Sequence, residues 1–501
     1  MDVPYTQKRS VYPSPASIPP VPRHRLYHGC GKTETSSASF GSVTGLDDEA
    51  TRSYFDHSDA KRINTDSVFT SALRRQYADF ETVVVKEYEC NLLAFASAGH
   101  ATFHAIQETG DVPSSLGMTV YLPPSRRMDG NKGQLGEVVI FGKFLYQWEG
   151  EEFIVYLVDG RDGAESYPKV KNYYILTKNV YKAEQLVLAT GSWASDLHDE
   201  VWVYDQGEML KDRELWRSAQ RSTWDAVILD PNMKKLLIND HVSFFESRDT
   251  YRGLGVPWKR GLIYHGPPGN GKTISIKATM HMLAEKNPAI PTVYVRSLES
   301  WMGPQHSLHV IFEKAREFAP CYLVFEDIDS LVTPDVRSYF LNEVDGLKEN
   351  DGIFIIASTN HLEDLDPGIS KRPSRFDRKY YFPDPNLDQR EAYCRFWQKK
   401  LKPNKDIEFP DKLCTAIAGI TDKFSFAYIQ EAFVASLLAI ARRPKGDLSE
   451  TTCEESWILV SDDRTSGAAL EKDDLDKLEL WIEIRKQVKI LREGIKDEGG
   501  E

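Results

Sequence analysis

GPPGNGKT, Gly266 to Thr273, fits the pattern G-x-x-x-x-G-K-[ST] and lies between an apolar run, GLIYH (261–265), and a helical stretch, KTISIKATMHMLAE (272–285). Glycines in such a loop let backbone N–H groups converge on phosphate oxygens. The lysine then reaches the β and γ oxygens, and the hydroxyl supplies an oxygen to Mg²⁺. Gly266, Pro267, Pro268, Gly269, Asn270, Gly271, Lys272 and Thr273 are therefore expected to hold ATP with its Mg²⁺.

Phosphoryl transfer also needs an acid near the metal and a group to orient or deprotonate the attacking water. CYLVFEDIDS (321–330) runs an apolar strand into Glu326 and Asp327. Most nucleotide hydrolases put aspartate first and glutamate second; here the order is reversed. Side chains alternate along a strand, so the two acids cannot do the same job. By position Glu326 serves the Mg²⁺ shell with Thr273, and Asp327 serves the water. Glutamate reaches a hydrated Mg²⁺ readily, because that ion keeps several of its waters. The shortened acid at 327 is the harder fit, since a displacement of about 1 Å can cost roughly a hundredfold in rate. Asn360 follows the next apolar strand, IFIIAS (353–358), and could orient the water or touch the γ-phosphate. KRPSRFDRK (371–379) concentrates basic residues in an otherwise acidic chain. Arginines there could reach a neighbouring subunit's γ-phosphate.

These residues require a scaffold of apolar strands alternating with amphipathic helices. The pattern from 221 to 386 supplies it and predicts a parallel sheet covered on both faces. Residues 387–445 read as a helical lid. Residues 446–501 read as a polar linker, in which SWILV (456–460) could pack, followed by a helix over 475–491. The region 61–220 is strand-rich, with a long hairpin turning at Glu149-Gly150. Residues 1–60, with six prolines in the first 22 positions, read as a disordered tail. The fold class expected is thus α/β, a P-loop NTPase parallel sheet with a helical lid, preceded by a strand-rich α+β N-terminal domain.

A net charge of -13 over 501 residues argues against sequence-independent binding of nucleic acid. The six cysteines show no metal-ligand spacing and read as free thiols in a reducing compartment. No integral membrane segment or secretion signal is evident, so an intracellular, cytoplasmic location is favoured, with a mitochondrial one still open.

In this order the motifs resemble those of the AAA ATPases over residues 220–443. GPPGNGKT is similar to Walker A, LVFED to Walker B, IIASTN to sensor 1, and LDPGISKRPSRFDR to the second region of homology. The last departs from the family by one extra residue, Lys371, and by Ser374 in a glycine position. The resemblance implies that Arg372 and Arg375 are arginine fingers acting in trans and that the chain forms a hexameric homo-oligomer. It also implies that SLESWMGP (297–304) is a pore loop placing Trp301, Met302 and Gly303 against an unfolded chain. Within the family, the chain resembles the Bcs-type mitochondrial chaperones in WDAVILD (224–230), the GVPWKRGLIYHGPPG run-up, the transposed acids and Asn360-His361. It differs from them in carrying a polar, proline-rich start where they carry a transmembrane helix. The function expected is an ATP-hydrolysing motor that remodels, unfolds or translocates protein, with a protein substrate or adaptor as partner. The alternatives are a nucleotide-gated scaffold with little hydrolysis and a Bcs-type translocase.

Overall fold

The computed structural model describes residues 65–106, 115–124, 132–160, 171–345, 348–372, 375–442 and 475–498. The expected tail (1–60), most of the expected linker with SWILV, and Ser374 lie outside the described residues. The chain divides at Asp196/Leu197 into two compact units.

The first unit is a six-stranded antiparallel sheet of β1 (Glu81–Lys86), β2 (Thr102–Ala105), β3 (Ser115–Leu122), β4 (Gln134–Trp148), β5 (Glu151–Asp159) and β6 (Lys171–Thr177). Their order is β1-β6-β5-β4-β2, with β3 also pairing β4. β4 and β5 form the expected hairpin, and both turn residues, Glu149 (φ 48°) and Gly150 (φ 81°), adopt the left-handed backbone of a two-residue turn. β6 is buried along its whole length because both faces are covered. Tyr173 and Ile175 pack with the helix Val180–Ser195 through Ala183 and Leu186, while Tyr174 and Leu176 pack with the helix Thr65–Gln76 through Phe69 and Leu73.

The second unit is a seven-stranded sheet of β7 (Val201–Asp205), β8 (Glu208–Asp212), β9 (Arg260–His265), β10 (Thr292–Val295), β11 (Cys321–Phe325), β12 (Ile353–Thr359) and β13 (Arg378–Tyr381). The order is β13-β9-β12-β11-β10-β7-β8, and every pairing is parallel except β7 with β8. Parallel strands covered on both faces need apolar residues at every position, and β11 and β12 are buried throughout. Helices Pro304–Glu317 and Pro334–Asp345 cover one face, and Lys272–Ala284 with Pro231–Glu246 cover the other.

The expected boundary at residue 220 falls instead at 196. VWVYD (201–205) lies within the expected strand-rich region 61–220, but it pairs with β10 and contributes Trp202 and Tyr204 to one face of the second sheet and Val201 and Val203 to the other. Its alternation is legible in the sequence; its long-range partner is not. Helices Leu387–Leu401, Asp411–Ile420 and Phe426–Ala441 form a separate apolar core. The last helix, Glu479–Glu498, docks on that core through Trp481, Ile484 and Val488, at helical spacing.

Candidate active site

Four loops at the C-terminal ends of strands place the chemistry on one edge of the second sheet, where open parallel sheets bind ligands. Gly266 follows β9, Glu326 and Asp327 follow β11, Asn360 follows β12, and the loop with Trp301 follows β10. Register fixes their depth: Ala357 of β12 lies beside Ile263 on one side and Phe325 on the other.

The phosphate loop needs its glycines for two reasons. Gly266, Gly269 and Gly271 have φ of 136°, 78° and 94°, values that favour glycine. A Cβ on Gly266 would lie 2.4 Å from the Phe382 carbonyl oxygen, and one on Gly269 would lie 2.6 Å from Ala427 Cβ. Gly269 is therefore where loop and lid meet, and Ala427 N–H donates to its carbonyl at 3.2 Å. Asn270 is buried and donates from Nδ2 to Asp384 at 2.8 Å, which fastens the loop to the segment after β13. Lys272, the first residue of the helix, donates from Nζ to the Gly266 and Pro267 carbonyls at 2.7 and 2.9 Å. Burial lowers its pKa from the usual lysine range, partly opposed by the nearby Asp327, Asp329 and Glu326 carboxylates.

A cavity of about 440 Å³ runs from this loop to the lid. Lys272, Thr273, Asp327, Ser358 and Asn360 line it, together with Val227, Ile228, Tyr393, Phe426 and Gln430. The lining thus combines a cation and polar groups with aliphatic side chains and aromatic rings, the two kinds of surface that a triphosphate joined to a flat base requires. The three residues of the lid were not apparent as site residues in the sequence. Tyr393, Phe426 and Gln430 look like ordinary positions of amphipathic helices, and WDAVILD carries a family resemblance but no local sign of a ligand.

The two acids face different surroundings. Asp327 leaves the strand with φ 48°, donates its N–H to Ser358 Oγ at 3.2 Å, and lines the cavity. Glu326 accepts a short hydrogen bond from the Tyr294 hydroxyl through Oε2. Its other oxygen, Oε1, is buried with no hydrogen-bond partner among the described residues, an orphan that a cation can satisfy. Those residues contain no group of three or more His, Cys, Asp or Glu suited to a metal ion. Mg²⁺ needs no such cage, since one or two carboxylates with substrate phosphates and water suffice.

Neither arginine of the basic segment lines this cavity. Arg372 is 61% exposed, with Nη1 only 3.6 Å from Asp345. Arg375 is 9% exposed and bonded through Nε to Asp345 at 2.7 Å and through Nη1 to the Gly368 carbonyl at 2.6 Å. Its backbone also crowds β9: a Cβ on Gly261 would lie 2.1 Å from the Arg375 oxygen. The resemblance implies a finger at each position, but Arg372 is an exposed cation whereas Arg375 is an internal tether. Trp301 is 91% exposed and Met302 51%. Gly303 (φ 86°) turns the chain into the following helix, and Ser300 stiffens the loop by accepting from Met302 N–H at 3.1 Å.

The family described as "ATPase family associated with various cellular activities (AAA)" matches residues 262–384. The ATP-dependent zinc metalloprotease FtsH of Acidothermus cellulolyticus is 32% identical over 234 residues, 43% of this chain and 33% of that protein. The mitochondrial inner membrane m-AAA protease component AFG3L2 of Mus musculus is 31% identical over 237 residues, 44% of this chain and 29% of that protein. The ATPase histone chaperone YTA7 of Saccharomyces cerevisiae is 28% identical over 251 residues, 44% of this chain and 18% of that protein. The chain spans a third or less of the length of these relatives. With a phosphate loop, Asp327 at a strand end and a helical lid around one cavity, residues 262–384 match as an ATPase domain of the AAA family.

Proposed function

We propose that the chain is an ATP-driven motor that acts on protein substrates as an oligomeric ring, with active sites shared between subunits. The observation that carries this reading is the split of the site: Lys272, Thr273, Asp327 and Asn360 line one cavity, whereas Arg372 stands exposed outside it. An arginine free of its own cavity is available to a neighbour's.

Gly266, Pro267, Pro268, Gly269, Asn270 and Gly271 wrap the phosphates, and Lys272 neutralises the β and γ oxygens. Thr273 and Glu326 would hold Mg²⁺, which when bound spreads the charge of the transferring phosphoryl group. Asp327 orients the attacking water and takes its proton, Asn360 aligns that water, and Arg372 stabilises the developing charge in trans. Arg375 tethers the Arg372 segment to Asp345. Val227, Ile228, Tyr393, Phe426 and Gln430 enclose the base.

Trp301 and Met302 present an apolar tip to solvent, which suits gripping an unfolded chain and favours the motor over a translocase of folded protein. The first unit would recruit a substrate or adaptor. Membership of the Bcs-type subgroup rests on the shared motifs; no described helix is long and apolar enough to cross a membrane. The four described cysteines are buried and unpaired, which suits a reducing compartment, the cytoplasm in this reading.

The test is phosphate release with Mg-ATP by the wild type, Lys272→Ala and Asp327→Asn over a range of protein concentrations. The motor predicts specific activity that rises with concentration, no ATP binding by Lys272→Ala, and ATP binding without turnover by Asp327→Asn. Wild-type release no faster than that of Asp327→Asn would make the chain a nucleotide-gated scaffold.

A further inference from the structure

The transposed acids raise a positional problem. A glutamate at 326 has one methylene more than an aspartate and therefore one more torsion to fix before its oxygens can meet a cation. The neighbouring strand carries the group that fixes it. Tyr294 of β10 stands beside Val324 of β11, so its side chain shares a face with Val324 and, two residues on, with Glu326. This is the face covered by the helix Lys272–Ala284: Tyr322 and Val324 pack there with Ile276 and Met280, and Tyr294 packs at the edge of the same cluster. The Tyr294 hydroxyl donates to Glu326 Oε2, and Oε1 stays buried without a described partner. One carboxylate oxygen is spoken for and the other is free, on the face where the Lys272 helix begins.

We propose that Tyr294 is a positioning residue for the metal-bound nucleotide: its phenol pins Oε2 of Glu326 and so presents Oε1 to the hydrated Mg²⁺ of bound Mg-ATP. Tyr294 touches neither nucleotide nor water; it acts through Glu326. This deepens the proposed function and rests on it, since it takes Glu326 as the metal-side acid. It also accounts for the reversed order of the acids. With its extra methylene, glutamate at 326 meets the phenol through Oε2 and still keeps Oε1 for the ion.

The experiment is a Mg²⁺ titration of ATP binding, followed by calorimetry on the full chain, for wild type, Tyr294→Phe, Glu326→Gln and the double variant. ATP binding in EDTA serves as the reference for each. Tyr294→Phe should leave metal-free ATP affinity unchanged and raise the Mg²⁺ needed for half-maximal enhancement by roughly ten- to a hundredfold, the worth of a hydrogen bond to a charged group. Turnover should fall in parallel and recover at high Mg²⁺. In the Glu326→Gln background Tyr294→Phe should do nothing further, because the phenol acts only through that carboxylate. An unchanged Mg²⁺ requirement in Tyr294→Phe overturns the proposal, as does equal loss of metal-free binding, which would make the phenol a packing group. If Glu326→Gln itself leaves the Mg²⁺ requirement unchanged, the reading of Glu326 as the metal-side acid fails instead.

Discussion

Arg372 and Arg375 lie three residues apart in the sequence and should fail in opposite ways. Arg375 is 9% exposed and makes two short hydrogen bonds, 2.7 Å to the Asp345 carboxylate and 2.6 Å to the Gly368 carbonyl. Hydrogen bonds to charged groups contribute about 1.5–3 kcal/mol each when buried. Asp345 is itself 27% exposed, and its carboxylate can recover water once the arginine is gone. Arg375→Ala should therefore destabilise the second unit by roughly 2–4 kcal/mol, a fall in Tm of about 3–6 °C for a unit of this size. Arg372 is 61% exposed and its contact with Asp345 is 3.6 Å, a surface pair worth about 0–1 kcal/mol. Arg372→Ala should leave Tm within about 2 °C of wild type. Its turnover should fall by a factor of about 10³ or more if it completes a neighbour's site. Thermal denaturation and phosphate release on the same preparations separate the two effects. Mixing makes the test sharper. Arg372→Ala and Lys272→Ala should each be inactive alone, yet a ring holding both contains sites with an intact phosphate loop facing an intact arginine, so partial activity should return. Equal destabilisation by both arginine variants, or no recovery on mixing, would refute the assignment of Arg372 to a neighbour's site.

Gly269→Ala forces a side chain into a left-handed backbone (φ 78°) and places its Cβ 2.6 Å from Ala427. Strain of about 1–2 kcal/mol plus displacement of the lid should weaken ATP binding at least tenfold, as calorimetry would show. Trp301→Ala removes a side chain that is 91% exposed, so denaturation should move by no more than about 0.5 kcal/mol and basal turnover should persist. Stimulation by an unfolded protein should be lost. His241 is fully buried against Phe354, and burial depresses its pKa from 6.5 to about 4. The unfolded chain then binds the extra proton first, so the stability this group provides is present above pH 6.5 and is lost as the pH falls toward 4. Between pH 7.5 and 5 the loss should be about 2 kcal/mol by urea denaturation, and His241→Phe should flatten that slope.

The parts of this protein that were legible in the sequence are those where a backbone or periodic requirement leaves a local mark. Gly266, Gly269 and Gly271 sit at fixed spacing because only glycine takes those φ values cheaply, and the apolar runs of β9, β11 and β12 are continuous because both faces of their sheet are covered. The α/β class followed from that alternation. What escaped notice depends on long-range pairing. Nothing local says that VWVYD joins the strand of Tyr294 rather than the sheet before it, and nothing local separates Arg375 from Arg372. The difference is made by Asp345 and the Gly368 carbonyl, which accept from Arg375 at short range. The lid residues that line the cavity escaped for another reason. Phe426 starts a helix whose Ile429, Ala432 and Phe433 fill the lid core, so its apolar character is already explained without a ligand. Trp301 shows the converse. A tryptophan is usually buried, and only the loop after β10 turns this one outward. Composition therefore identifies residues forced by the backbone, whereas residues chosen by a partner, whether an acid, a base or a neighbouring subunit, become visible only when the fold brings that partner within reach.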